Sequence, residues 1–512
     1  MQFLVPMKLR TFFFLGVTLS ASLLPGWFTA IPAVPGEGVR APVEQAGFQS
    51  LTKYPAMTSY LRELCSAAGW RLDTIAVSSS GRPVVMVHVV PAGTPAQSRS
   101  PLRVLLSAQQ HGDEPSGKEA LLVLLAGIAR NQYAGSFDSL ELWIVPQMNP
   151  DGGEAEHRLT AEGIDLNRSH LVLNSPETRG LHRLYAEVMP DVSLDIHEYG
   201  AYSKSWSDSG FVKAGDVQLG MLTNLNCPAN VMRYQHEHVY PAVRAAMDEQ
   251  GFLFHEYIVG SPSSRIRHST TETNDGRQSL GVQGSLSFIQ EGRQGKSLTA
   301  NLERRVKSQL AAVEALLRYC NGHAGEIRGV VRDARAGLCA MSGKRFVTVM
   351  DHFPSKAILT IPVEDLRSGS VVRRDVGPYH SVVEPLGETV LPDGYVIPKR
   401  MTGLLEILTL HAVQMETVQV ARSAAGEEFL IDSVGTAMVE EEPHPRPHGR
   451  LNPVAVTLSE GDVIVPLAQG RSMLVATLLE PESMWGISKY PEFASMFAPG
   501  RYPILRIKAV AK

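Results

Sequence analysis

The sequence predicts an α/β domain with a largely parallel or mixed sheet, followed by a β-rich C-terminal region. Two observations predict it. Between about Leu51 and Asn321, short apolar runs alternate with amphipathic segments, as strands alternate with crossover helices. After Asn321 the pattern changes to short β-type runs broken by Gly, Pro and Asp. At 512 residues, 44% hydrophobic and 20% charged, the chain can bury a sizeable core and exceeds one ordinary domain.

Taken in order, "MKLRTFFFLGVTLSASLL" sets Lys8 and Arg10 before an uncharged run from Thr11 to Leu24. A bilayer span needs about 20 apolar residues, so this shorter run reads as a secretory signal over 1–33, removed near Ala30 or Ala33. An uncleaved anchor is the alternative, and Met7 a second possible start. "LRVLLSA" (102–108) reads as a buried strand and "PSGKEALLVLLAGIAR" (115–130) as a helix with proline in its first turn. "LELWIVPQM" (140–148), "DVSLDI" (191–196) and "GSLSFIQ" (284–290) are further strands. "ETRGLHRLYAEVM" (177–189), "HVYPAVRAAMDEQG" (238–251) and "SLTANLERRVKSQLAAVEALLRYC" (297–320) are helices. In the C-terminal region, taken as 326–512, "EIRGVV", "RFVTVM", "AILTIPV", "GYVIP", "TVQVARS", "DVIVPL" and "MLVATLL" read as β-type runs. "MTGLLEILTLHAV" (401–413) reads as a helix there, and "EEEPHPRPHGRLNP" (440–453) as an exposed proline-rich connection.

The formal charge of −4 argues against a nucleic-acid or anionic-membrane partner, since either needs a basic face. Cys65, Cys227, Cys320 and Cys339 form no CxxC, which excludes a zinc knuckle. They could form up to two disulfides in an oxidising compartment, or remain buried thiols. "GRQGKS" (292–297) lacks the first P-loop glycine, because position 290 is Gln. There is no GxSxG elbow and no HExxH.

Open α/β sheets bind ligands outside the carboxyl ends of their strands, so polar groups at strand exits converge in space. Four strands end in such loops. The first ends in His111-Gly-Asp-Glu114 and the second in "NPDG" (149–152), which leads to Arg158 and "DLNR" (165–168). The third ends in "DIHEYG" with His197, the fourth in "QEGR" with Glu291. Two imidazoles and a carboxylate form a catalytic zinc set, with one position left open for water. His111 and Glu114, three apart, reach one ion from a single loop, and His197 closes the set. Asp113 is expected to cap the following helix, and Glu119 to lie inside it.

HGDE, NPDG, Arg158, DLNR, DIHE (195–198) and the glutamate of FIQEGR (288–293), in that order, resemble the M14 zinc metallocarboxypeptidase family. The resemblance covers roughly Leu51 to Asn321. It implies a mixed eight-stranded sheet flanked by helices, a catalytic domain over 45–323, and one Zn²⁺ held by His111, Glu114 and His197. It implies that Glu291 is the general base, returning its proton to the leaving amine. Arg158 would polarise the scissile carbonyl, Asn167 and Arg168 would grip the substrate's free C-terminal carboxylate, and Asp165 would orient the first zinc histidine. The family's mobile tyrosine has no counterpart between Val259 and Gln290. Tyr257, Tyr199 and Tyr202 are the substitutes. Arg277, in the polar stretch 270–281, is a candidate contact for an acidic side chain or a diaminopimelate carboxylate.

The expected activity is therefore that of a secreted or periplasmic carboxypeptidase, with a peptidoglycan stem peptide as one conceivable substrate and no membrane partner once the signal is removed. Two alternatives remain. One is a deacylase of N-acyl amino acids resembling aspartoacylase or succinylglutamate desuccinylase. The other is a catalytically silent zinc-retaining module that binds peptide or cell wall.

Overall fold

A computed structural model describes residues 39–90, 100–439 and 442–508. The signal segment read at 1–33 lies outside them. Among the described residues, eleven strands precede the long helix Leu302–Gly322. They are β1 (Arg71–Val77), β2 (Pro83–Val89), β3 (Leu102–Ala108), β4 (Leu140–Val145), β5 (Val192–Tyr199) and β6 (Phe211–Lys213). β7 (Val217–Gly220), β8 (Phe254–Glu256), β9 (Ile258–Val259), β10 (Ile266–His268) and β11 (Leu286–Arg293) follow. Eight of them form one sheet in the order β1-β2-β4-β3-β5-β11-β7-β8. β4, β3, β5 and β11 run parallel, and β1–β2, β2–β4 and β11–β7 are antiparallel. This is the mixed eight-stranded sheet that the resemblance implied.

Both faces of the sheet are covered, which explains runs such as "LRVLLSA" whose apolar residues fall on both faces. Successive side chains of a strand point to opposite faces. Val104 and Leu106 accordingly enter the large core with Leu121, Leu125 and Val313, beneath the helices Ser116–Ala129 and Leu302–Gly322. Leu105 enters a second core with Trp143, Leu181 and Tyr185, beneath the helix Pro176–Val188.

The C-terminal region is woven into this body. It supplies β12 (Arg345–Phe353), β13 (Leu359–Asp365), β14 (Val371–Val376), β15 (Tyr379–His380) and β16 (Val382–Val390). β13 pairs with β6, aligning Val363 with Lys213, and β15 pairs with β10. A seven-stranded sheet beyond them includes the hairpin Arg422–Val439 and Glu442–Leu458. One contiguous core runs from Ala41 to Ile504. All four cysteines are free, three of them buried.

Three sequence expectations are corrected here. "EIRGVV" lies in a helix, Ala324–Leu338, so position 326 falls inside an element; its buried residues Ile327, Val331, Ala334 and Leu338 follow helical spacing. "MLVATLL" is the helix Ser472–Leu479, buried all round, so its polarity carries no period to distinguish helix from strand. The stretch from Glu442 to Pro453 belongs to an edge strand, while 440 and 441 lie outside the described residues. Pro443, Pro445 and Pro447 recur at every second residue, opposite Met438, Thr436 and Val434. On an edge strand that phase lets the missing N–H face away from the ladder.

Candidate metal centre and active-site cleft

The first loop is held by close backbone approach. A Cβ on Gly112 would lie 2.0 Å from the carbonyl carbon of Gly152, so only glycine fits between the HGDE and NPDG loops. Asn149 ties the same loops together. Its side chain accepts from Gly152 N at 2.8 Å and donates to Gln110 O at 3.1 Å. The helix after HGDE is not capped by Asp113, whose Oδ1 is buried without a partner. Glu198 takes that place, accepting from Ser116 N at 3.0 Å, because a carboxylate from β5 already lies against this helix end.

His111, Glu114 and His197 converge. Nδ1 of His111 lies 2.8 Å from Glu114 Oε1, and Nδ1 of His197 lies 2.9 Å from Glu114 Oε2. The two Nδ1 atoms are 3.2 Å apart, and all three side chains are buried. The far nitrogens are held by acids: His111 Nε2 by Asp165 at 3.1 Å, His197 Nε2 by Asp195 at 2.8 Å. Metal-binding histidines are oriented in this way. Asp195 and His197 can meet because residues two apart on a strand share a face.

Charge agrees with geometry. Burial opposes ionisation of Glu114, yet the two imidazoles hold its carboxyl well below the usual range. Burial opposes a proton on His197, yet Asp195 and Glu114 hold its imidazole well above the ordinary value. One carboxylate thus meets two facing imidazole nitrogens while two others hold the rings from behind, a donor set of N and O atoms that fits zinc.

The centre opens into a cleft of about 370 Å³ lined by Arg158, Asn167, Arg168, Lys213, Tyr257 and Glu291, among others. Glu291 pairs with His197 across adjacent parallel strands, which sets both on one face of the sheet. Burial, reinforced by Glu114 and opposed by His197, raises its carboxyl to about 7. Arg158 Nη2 bonds Asp165 Oδ2 at 2.9 Å, and its Nη1 lies 3.2 Å from His111 Nδ1. Asp165 also caps the short turn Leu166–Arg168, accepting from Asn167 N at 3.0 Å. Asn167 Oδ1 accepts from Gly276 N at 2.9 Å. Arg168 Nε sits 3.1 Å from Glu272 Oε2.

Arg277 does not join this group. It is 1% exposed, is not among the residues lining the cleft, and bonds Ser269, Thr270 and Asp275 instead. A guanidinium so occupied cannot meet a substrate side chain, and what it fixes is Thr270 and Asp275, both of which do line the cleft. Of the three tyrosines, Tyr257 and Tyr199 line the cleft, and Tyr199 is tied by its hydroxyl to Gly215 O at 2.5 Å.

A family model described as zinc carboxypeptidase matches residues 57–206, which contain both HGDE and DIHE. Carboxypeptidase 2 of Trichophyton rubrum is 24% identical over 520 residues, covering 94% of this chain and 93% of its own. These matches support an M14 zinc carboxypeptidase. The likeness to the fungal carboxypeptidase extends through the C-terminal region as well. Solved structures that the chain matches include a metallo-carboxypeptidase from Burkholderia cenocepacia, 20% identical over 54% of this chain and 71% of its own, with a TM-score of 0.43. Carboxypeptidase A from Helicoverpa armigera is 16% identical over 56% and 75%, with a TM-score of 0.41.

Three parts of this carboxypeptidase's site escaped sequence reasoning. Asp195 stands inside the DIHE motif, and only its place two residues before His197 on a strand signals its contact. Glu198, which follows His197 and lines the cleft, is clamped by Arg305 at 2.7 Å and 2.9 Å, both side chains being buried. Lys213 lies on the three-residue β6, in no motif, with Nζ 4.4 Å from the Tyr199 ring centre. Burial lowers its ammonium to about 8, against the pull of Glu291.

Proposed function

We propose that this carboxypeptidase is exported, carries one zinc ion on His111, Glu114 and His197, and removes the C-terminal residue of peptides with Glu291 as general base. The supporting observation is the convergence of two Nδ1 atoms on the two oxygens of Glu114, each imidazole being backed by an acid. Zinc held there would acidify a water and polarise the scissile carbonyl. Glu291, on the strand beside His197, takes the proton of the attacking water and delivers it to the departing amine. Arg158 offers its guanidinium where negative charge develops on the carbonyl oxygen. Asn167 and Arg168, adjacent on one turn, receive the terminal carboxylate, and arginine suits that two-point contact. Export rests on the charged and apolar run before residue 24. Among the described residues no helix is long and apolar enough to cross a membrane.

Metal analysis of the purified chain, then mass spectrometry of a peptide library after incubation, tests the proposal. The expected result is zinc, and loss of single residues from free C-termini. Hydrolysis of an N-acyl amino acid with no action on a dansylated dipeptide would instead assign the deacylase activity. Glu291→Gln should keep its zinc and lose about 10²- to 10⁴-fold in kcat, the usual weight of a general base. Equal inactivity of wild type and variant would mark a binding module.

A further inference from the structure

Behind one wall of the cleft lies a second group of metal-type donors. His236, Glu256 and His268 each offer one ligand atom, and the three atoms lie within 4.8 Å of one another. None of the three lines the catalytic cleft. They come from separate elements. His236 stands on a π-helical turn, Gln235–Val239, between the helices Ala229–Tyr234 and Tyr240–Glu249. Glu256 ends β8 and His268 ends β10, where it pairs with Ile258 of β9.

We propose that His236, Glu256 and His268 hold a second divalent cation, of zinc type, which fixes the cleft wall and takes no part in the reaction. The strongest observation is His268. It is only 5% exposed, and its Nε2 approaches Glu256 Oε1 to 2.7 Å out of line for a hydrogen bond. A protonated imidazole beside a carboxylate would settle into an in-line N–H···O bond. Close donors that are not in line instead suit two ligands aimed at a common point. The catalytic centre supplies the scale, its donors lying 2.8–3.2 Å apart.

Three further features agree. The other oxygen of Glu256 accepts from Tyr379 Oη at 3.1 Å, so the carboxylate is oriented from behind, as metal-binding carboxylates are. The His236 and His268 ring centres are 5.6 Å apart, and His236 is exposed, which leaves an ion a way in from solvent. Single π-turns are rare and gather at functional sites. Two imidazoles and one carboxylate select zinc over calcium or magnesium, which favour all-oxygen sets. A cation here would join helix, β8 and β10 around Tyr257–Gly260, the stretch that lines the cleft.

The test is zinc stoichiometry of the full chain, by mass spectrometry of the metal after equilibration with zinc and removal of loose ions. Wild type should hold two equivalents. His236→Ala should hold one, as should Glu256→Gln, with peptidase activity retained and KM raised. His197→Ala, which removes a catalytic ligand, should also hold one, and the His197→Ala/His236→Ala double variant none. In the His197→Ala background, added zinc should raise the melting temperature, and His236→Ala should abolish that rise. One equivalent in wild type, or two in His236→Ala, overturns the proposal. His236 is a surface side chain, so its variant folds and decides the matter even where Glu256→Gln does not.

Discussion

Glu291 and Lys213 line the same cleft, and burial drives their protonation in opposite senses. The carboxyl is raised to about 7 and the ammonium lowered to about 8, each being drawn back by the other's charge. A general base works only when ionised, so with Glu291 in the proposed role kcat/KM should be lost as pH falls through its pKa. The positive charge of bound zinc would move that limb below its metal-free position. Lys213→Met removes a cation that favours the carboxylate, so the acid limb should shift to higher pH, while Lys213→Arg should leave it nearly in place. Matching pH profiles for wild type and Lys213→Met would show that the two groups are not coupled in the working enzyme. Glu272 offers a second check. It already pairs with Arg168, so an incoming carboxylate must compete for that guanidinium. Glu272→Gln should lower KM for peptides with kcat little changed, by about tenfold if one charge-assisted hydrogen bond is at stake. The convergence of His111, Glu114 and His197, the proposed metal ligands, was legible in the sequence because each lies in a short polar motif at a strand exit. Lys213 was not, since a lone lysine acquires meaning only from the rings and the carboxylate that folding brings around it.

The element that matters most for the centre is β5, together with the helix Leu302–Gly322 behind it. β5 sets His197 against Glu114 with Asp195 behind it, and carries Glu198 to the helix, where Arg305 grips it. Arg305→Met should leave a buried carboxylate unpaired, at a cost of about 3–5 kcal/mol, while Glu198→Gln/Arg305→Met should recover much of it. Chemical denaturation of the two variants would read the difference, and equal losses would mean that the pair contributes packing alone. Elements were readable where their length and flanking turn residues marked them. Helix 116–129 and strand 191–196 are bounded by turn residues and have ordinary lengths for their type. "MLVATLL" had no period, and the prolines of 443–447 argued for a loop until a partner strand gave their spacing a place.

At the scale of the whole molecule, the change of composition after Asn321 marked a change of secondary structure and not a seam in the core. Strand pairing over long separations leaves no trace in local pattern, so nothing in "AILTIPV" announced that it would lie beside Phe211–Lys213. Ile361, fully buried on β13 with Trp206, Phe211 and Ile258, tests that union. Ile361→Ala should cost about 2–5 kcal/mol and lower kcat/KM along with stability, because the strand it supports carries Lys213. A chain stopped after Leu338 should fail to give a soluble, zinc-loaded enzyme. Full activity from such a truncation would show that the core divides after all. The β6–β13 pairing also bears on how the molecule comes into being on the ribosome. A cleft wall whose hydrogen-bonding neighbour is Leu359–Asp365 stays unfinished until that stretch has emerged, so for much of its synthesis the nascent hydrolase holds its His111 and His197 loops but lacks a completed cleft.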